Sequence, residues 1–421
     1  MKHSLVYAQE QDAQDELGSY RKKFHIPKQE NGALHTYLCG NSLGLQPKIT
    51  KEYVQQELDD WANYGVEGHL NAKNPWLPYH EFLTDKMAKI VGAKPIEVVV
   101  MNTLSVNLHL LMATFYRPTK DRYKILIESD AFPSDRYAVE SQLKFHGYPD
   151  GLLELKPRNS ETLLRPEDIE RKIETEGNEI ALILIGCPNY YTGQVFNIKS
   201  IAELGHNKGC MVGIDLAHGA GNLKLELHDS NIDFAAWCTY KYLNSGPGSI
   251  GACFIHERHA RSFDLPRFAG WWGHDKATRF GMRDEFSPIT GAEGWQLSNP
   301  PILSLAAIKA SLDIFDEVGM EKLHKKSIQL TGYLEYLLSF FLENEVEIIT
   351  PKNPEERGCQ LSLQLIRKEG KKVFEAITKR GVIADWREPN VIRIAPAPLY
   401  NSYQDVYHFV MILKEELDNT Q

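Results

Sequence analysis

A lysine and an aspartate, each closing an apolar run, are the residues of this chain best suited to chemistry. Asp233-Phe234-Ala235-Ala236-Trp237-Cys238-Thr239-Tyr240-Lys241 stops at a cation, and Cys210-Met211-Val212-Gly213-Ile214-Asp215 stops at a carboxylate. A buried strand ending in Tyr240 and Lys241 holds an amine at the rim of a sheet, where desolvation lowers a lysine pKa towards nucleophilic use. Parallel strands of an α/β sheet bring such ends to one edge, the edge where ligands bind. An imine-forming lysine beside an anion for a pyridinium nitrogen is the pair that pyridoxal phosphate requires. An ordinary ion pair across a crevice uses the same two residue types, and a lone lysine at a strand end is more often a surface cap.

The glycines after Lys241 suggest a second motif. Residues 246–251 match G-x-G-x-x-G, which binds dinucleotides only where it follows a strand and opens a helix. Here it leads into Ala252-Cys253-Phe254-Ile255, a strand pattern, so it reads as a turn between strands.

Strands and helices must alternate to position these residues, and the pattern does so. Strands are predicted at 97–101, 124–128 and 180–185, and helices at 49–64, 81–91, 106–115 and 201–208. The continuous apolar run at 180–185 is the mark of a strand buried on both faces. Asn102, Thr103, Leu104 and Ser105 stand between a strand and a helix, where free N–H groups and hydroxyls suit a phosphate and plain N-capping equally. Phe132-Pro133-Ser134-Asp135 lies in a turn offering an aromatic ring and a carboxylate at a strand end. Residues 1–30 read as a helical lead-in, and 65–78, with His69 and Trp76, as a loop able to reach a site. Beyond Pro301, helices at 303–316 and 319–342 precede a smaller alternation of strands and helices at 345–394. The expected fold class is therefore α/β: a large domain with a mostly parallel central sheet plus a smaller α+β domain. The expected division is 1–65 as an N-terminal segment joining the small domain, 66–304 as the large cofactor-binding domain and 305–421 as the small domain.

Bulk properties exclude several classes. A net charge of −9 argues against a nucleic-acid or anionic-membrane partner, which selects a basic face. No apolar run approaches the about 18 residues that span a bilayer, and the first thirty residues lack a signal-peptide core. Six cysteines, at 39, 187, 210, 238, 253 and 359, sit mostly within apolar runs and read as buried thiols of a reducing, cytoplasmic compartment.

Several blocks in order carry a family resemblance: Leu38 through Pro47, Phe132-Pro133-Ser134-Asp135, Asp215-Leu216-Ala217-His218, Tyr240-Lys241-Tyr242-Leu243-Asn244, Trp271-Trp272-Gly273-His274, Ser298-Asn299-Pro300-Pro301, and the run from Arg393 to Asn401. On these the chain resembles the kynureninases, pyridoxal-phosphate hydrolases of the aspartate aminotransferase superfamily with fold type I. The resemblance implies pyridoxal 5'-phosphate as cofactor, carried on Lys241, with Asp215 at its pyridinium nitrogen. It implies Phe132 stacked on the ring, Asp135 and His218 in the surroundings, and Leu104, Ser105 and Tyr240 around the phosphate. Trp271 and Asn299 are implied to come from the neighbouring subunit of a homodimer. Arg393 is implied to hold the substrate α-carboxylate, and Tyr240 to relay protons. Ser298, Asn299 and a histidine at His69 are implied to favour the 3-hydroxylated substrate. The implied activity is hydrolysis of kynurenine or 3-hydroxykynurenine, in tryptophan catabolism or NAD biosynthesis. Gly186 stands where some relatives carry a hydroxyl, so no polar cofactor contact is assigned to it.

Rival readings have weaker support. An aminotransferase would share Lys241, Asp215 and Arg393. A cysteine desulfurase would need Cys359, which opens a strand pattern and reads as a structural thiol. A cofactor-bearing regulator would need a basic module, whereas the first thirty residues balance five basic against five acidic. A metal hydrolase on His206, His218 and His228 lacks paired-ligand spacing, and no metal is expected.

Overall fold

The computed structural model describes residues 1–366 and 369–419, and a seven-stranded sheet lies at its centre. The strands are β1 (Val98–Val100), β2 (Lys124–Glu128), β3 (Leu152–Leu155), β4 (Ile180–Gly186), β5 (Met211–Asp215), β6 (Phe234–Cys238) and β7 (Gly251–Ile255). Their spatial order is β1-β7-β6-β5-β4-β2-β3. β3, β2, β4, β5 and β6 run parallel, and β7 is antiparallel to both β6 and β1.

These strands are apolar along their length because helices cover both faces, and alternate residues feed two separate cores. Ile183, Ile185, Val212, Ile214 and Trp237 enter one core, beneath helices Glu81–Val91, Ile198–Asn207 and Ile302–Val318. Leu182, Leu184, Phe234, Ala236 and Ile255 enter the other, beneath helices Leu104–Phe115 and Pro133–Phe145. Gly213 lacks a side chain because a Cβ there would collide with the ring of Phe234, its partner in register.

Some details differ from expectation. The strand carrying Lys241 ends at Cys238, whose partner Gly251 starts β7, so Lys241 lies in the turn beyond the strand rather than at its last position. Residues 246–251 form the connection between these two antiparallel strands; Gly246 and Gly248 have φ of +97° and +69°, which favours glycine there. The turn at 131–135 is instead a helix start, with Phe132 as cap and Pro133 at the first position, where its fixed φ suits the helix. The loop at 65–78 contains a 3-10 turn, Gly65–Glu67, and a short helix, Gly68–Asn71. The lead-in is one helix, Leu5–Gln14, followed by a 3-10 segment, Gly18–Lys23.

The second sheet is antiparallel. Its strands β8 (Val346–Ile348), β9 (Leu361–Leu365), β10 (Asp385–Arg387) and β11 (Val391–Ile394) lie in the order β10-β11-β9-β8. It packs with helices Met320–Leu342, Gly370–Lys379 and Tyr403–Asn419 around Leu334, Leu363, Ile392 and Phe409. Leu323 belongs to the large sheet's core while Leu330 onward belongs to this one, so helix Met320–Leu342 passes between the two. The segment after Thr36–Tyr37 bridges both sheets: Cys39 pairs with Ala395, and the Gly44 N–H donates to the Tyr240 carbonyl at 2.8 Å. No described helix is long and apolar enough to cross a membrane.

Candidate active site

At the carboxyl edge of the parallel strands lies a cavity of about 340 Å³. Glu128, Gly186 and Asp215, the last residues of β2, β4 and β5, form its floor. Adjacent parallel pairing of β5 with β6, Asp215 opposite Ala236, brings the Tyr240-Lys241 turn to the same edge. The lysine and the aspartate chosen from sequence therefore share one cavity.

Burial dominates the electrostatics. Asp215 accepts the Ala217 N–H at 2.6 Å, and burial raises its pKa against the opposing pull of Asp135, that N–H and Lys241. Burial, and then the charge of Asp215, push Asp135 well above the carboxylate range, so of the two carboxyls Asp135 is the one favoured to hold a proton. Asp135 keeps one oxygen, Oδ1, buried without a partner. His218 is neutral: burial lowers its pKa strongly, helped by Lys241, Arg393 and Arg387. Tyr240 stays protonated, its pKa raised by burial and then by Cys238.

Two helix starts face the cavity. Helix Leu104–Phe115 begins after Thr103, whose side chain makes no capping bond, leaving first-turn N–H groups available to an anion. Ser105 Oγ lies 2.8 Å from Ser134 Oγ, which ties this start to that of helix Pro133–Phe145. Phe132, half-exposed, presents its ring 5.8 Å from Lys241 Nζ.

On the opposite wall stand Arg387 and Arg393 from the smaller sheet, with Asn41 and Ser42 from the bridging segment. Arg393 is buried, and its Nη1 donates to the Tyr190 carbonyl at 2.7 Å. Burial lowers its pKa to about 10, so it remains a cation at neutral pH.

The cavity thus gathers Leu104, Ser105, Phe132, Asp135, Asp215, His218, Tyr240, Lys241 and Arg393. It does not gather His69, Trp271, Ser298 or Asn299. His69 bonds the Val66 carbonyl at 2.9 Å and lies edge-on to Trp76. Trp271 is 42% exposed, and Ser298 and Asn299 are exposed. The three histidines of the metal reading are dispersed: His206 bonds Asp233 and His228 bonds Glu97, while His218 lines the cavity. Cys359 is fully buried, and burial pushes its thiol to about 12, unsuited to attack.

Sequence reasoning missed Glu128, Asn41, Ser42, Tyr190 and Arg387. Glu128 carried the same signal as Asp215, a charge closing an apolar run. Its carboxylate accepts the Gly186 N–H at 3.1 Å, and a Cβ on Gly186 would crowd it at 2.8 Å. At position 186 this glycine leaves room for a carboxylate.

A carboxylate closing β5 and a lysine in the turn after β6, at one edge of this sheet, define the class: the fold is that of the fold-type-I pyridoxal-phosphate enzymes. An apo cysteine desulfurase from Thermococcus onnurineus shares it with a TM-score of 0.75 at 18% identity, covering 91% of this chain and 95% of that one. A C-DES variant with glycine covalently linked to its PLP cofactor shares it with a TM-score of 0.79 at 15% identity, covering 94% and 99%. Residues 323–413 match the family model of the kynureninase C-terminal domain. Over 413 residues the chain is 58% identical to a kynureninase of Myxococcus xanthus, covering 98% of this chain and 97% of that protein. Over 406 residues it is 56% identical to a kynureninase of Koribacter versatilis, covering 96% of each. The chain belongs to the kynureninase family.

Proposed function

We propose that this protein hydrolyses kynurenine or 3-hydroxykynurenine to anthranilate or 3-hydroxyanthranilate and L-alanine, with pyridoxal 5'-phosphate as cofactor. One observation carries the reading: in a chain of this family, Lys241 and Asp215 meet in a single cavity at the strand ends.

The residues present fit the cofactor. Lys241 would carry it and Asp215 would face its pyridinium nitrogen, with neutral Asp135, whose Oδ1 is unpartnered, and His218 beside them. The uncapped first turn at Leu104 and Ser105, with the Tyr240 hydroxyl, would hold the phosphate, and Phe132 would cover the ring. Bound there, the cofactor supplies an electron sink for negative charge at the substrate's α and β carbons.

The chain's own residues do the rest. Arg393 fixes the α-carboxylate through charge-assisted hydrogen bonds, which orients the substrate. Lys241 accepts the proton from Cα. The Tyr240 hydroxyl, protonated at neutral pH, relays protons at the edge of the phosphate cradle. Water adds to the γ-carbonyl, the Cβ–Cγ bond breaks, the aryl carboxylate departs, and alanine follows.

The working unit is a homodimer in which Trp271 and Asn299 serve the neighbour's site; their absence from their own cavity and their exposure support this. The six cysteines, all buried and unpaired, support a cytoplasmic setting. Steady-state kinetics on both substrates, with the cofactor spectrum recorded, test the function. A site built to bond the 3-hydroxyl rejects the analogue lacking it, because its own polar group is left unpaired. The kcat/KM ratio should favour 3-hydroxykynurenine and fall towards unity in Asn299→Ala and His69→Ala. No turnover of either substrate refutes the function; equal efficiency in the native protein refutes only the preference.

A further inference from the structure

The small-sheet wall of the cavity holds two guanidiniums and one carboxylate in a fixed arrangement. Side chains alternate along a strand, so Asp385 and Arg387 share one face of β10, and Arg393 of β11 lies directly across from Asp385. Asp385 Oδ2 is ion-paired with Arg393 Nη2, lies 3.0 Å from Arg387 Nη2, and accepts from Ser42 Oγ at 3.1 Å. The Tyr190 carbonyl holds Arg393 Nη1. The Nε of Arg393, on a side chain only 1% exposed, has no partner, and neither does that of Arg387.

Arg393, 1% exposed, needs a partner and has one in Asp385, whereas Arg387, 36% exposed, is partly solvated, and a single carboxylate faces both guanidiniums. One positive charge is left over, on a wall facing the cavity. That surplus matches one incoming carboxylate and is exceeded by two.

We propose that Asp385 determines specificity in this site: it holds Arg393 in place at the cavity wall and sets the local charge so that monocarboxylates are accepted and dicarboxylates refused. The inference rests on the reading of Arg393 as the carboxylate-binding residue. Were Asp385 only a strut, its loss would weaken all carboxylates alike. If instead it sets the charge count, its loss leaves two unbalanced guanidiniums and turns the preference towards dianions. Glu128, Asp135, Asp215 and Lys241 are common to all the variants, so their field cancels from a ratio of affinities.

The test uses cofactor-loaded protein and two probes, acetate and malonate, with inhibition constants measured against substrate. In Asp385→Asn the malonate-to-acetate affinity ratio should rise about tenfold or more over the native protein, a shift in relative affinity of about 1.4 kcal/mol or more. Arg387→Met keeps Asp385 paired with Arg393, removes the surplus charge, and should weaken acetate about tenfold without improving malonate. An unchanged ratio in Asp385→Asn with native Tm and cofactor spectrum overturns the proposal. If Asp385→Asn does not fold, Arg387→Met decides, and undiminished acetate affinity overturns it. Arg393→Gln separates the two levels. Loss of acetate binding there upholds the Arg393 reading whatever Asp385→Asn does, while undiminished binding refutes that reading and the inference together.

Discussion

Lys241 shares its cavity with three carboxyl groups, Glu128, Asp135 and Asp215, and this company sets what each can do. Burial and the neighbouring Asp215 push Asp135 towards its protonated form, while Asp135, the Ala217 N–H and Lys241 oppose the rise that burial causes at Asp215. Borohydride reduction of the loaded protein followed by peptide mapping should therefore place the cofactor on Lys241, and Lys241→Ala should lose turnover while keeping its fold; a label on any other lysine contradicts the assignment. Arg393→Lys keeps the charge and loses the fork of donors, so substrate binding should weaken by roughly 1.5–3 kcal/mol with the resting cofactor spectrum unchanged. Glu128 adds a pH signature. Burial raises its pKa from 4.5 to about 7, offset in part by its own backbone N–H and that of Gly186. A raised carboxyl favours the folded state below its unfolded pKa and loses that advantage as pH climbs through the folded value. Native stability should decline between about pH 4.5 and about pH 7 through this group, and urea titrations of Glu128→Gln should lack that slope. An identical slope in both proteins counts against it.

At the opposite end of the strands the elements are locked by Asp233. Its carboxylate accepts from His206 of helix Ile198–Asn207, from the Val212 N–H of β5, and from Arg258 and His259 of the turn after β7. Burial opposes its ionisation, but these bonds hold its pKa far below the usual range. The sign is opposite to that of Glu128: this stabilisation is full at neutral pH and is lost as acid reaches the carboxylate range. Asp233→Asn should cost roughly 3–5 kcal/mol at neutral pH by leaving the Arg258 cation without its anion, and should flatten the acid limb of the stability curve. Equal acid sensitivity in both proteins would remove Asp233 from that role. Elements of this sheet were readable from sequence because their apolar runs are continuous, as in Ile180–Gly186, or close on a charge, as at Asp215. Helix Tyr403–Asn419 carries the helical spacing Val406, Phe409, Val410, Leu413, a local signal as legible as those of the predicted helices. The position of Lys241 beyond its strand was not readable, because the strand's end is set by pairing with β7, a long-range contact that no local pattern encodes. Arg387 and Ser42 were invisible for the same reason: strand register and a bridging segment, not spacing, bring them to the cavity.

At the scale of the whole molecule, one chain leaves much apolar surface in water. Trp61, Tyr64, Val66 and Leu70 at one segment, and Phe263, Phe268, Phe280 and Met282 around Trp271, are between 45% and 76% exposed. Apolar groups gathered this densely mark a surface that another protein covers. A two-fold dimer would cover equivalent patches on both copies and carry Trp271 and Asn299 to the neighbour's cavity. That arrangement makes a prediction which neither fold nor activity alone provides. In such a dimer Lys241→Ala would impair a site from within its own chain, whereas Asn299→Ala would impair the site of the neighbour. Each variant alone should be impaired on 3-hydroxykynurenine. Mixed in equal amounts and allowed to exchange subunits, half the dimers become hybrids, each with one doubly defective site and one intact site. About a quarter of all sites should then be native, and activity should rise accordingly. If Asn299 served its own chain, each hybrid site would carry one lesion, and the mixture would stay at the mean of the two variants however long exchange proceeds.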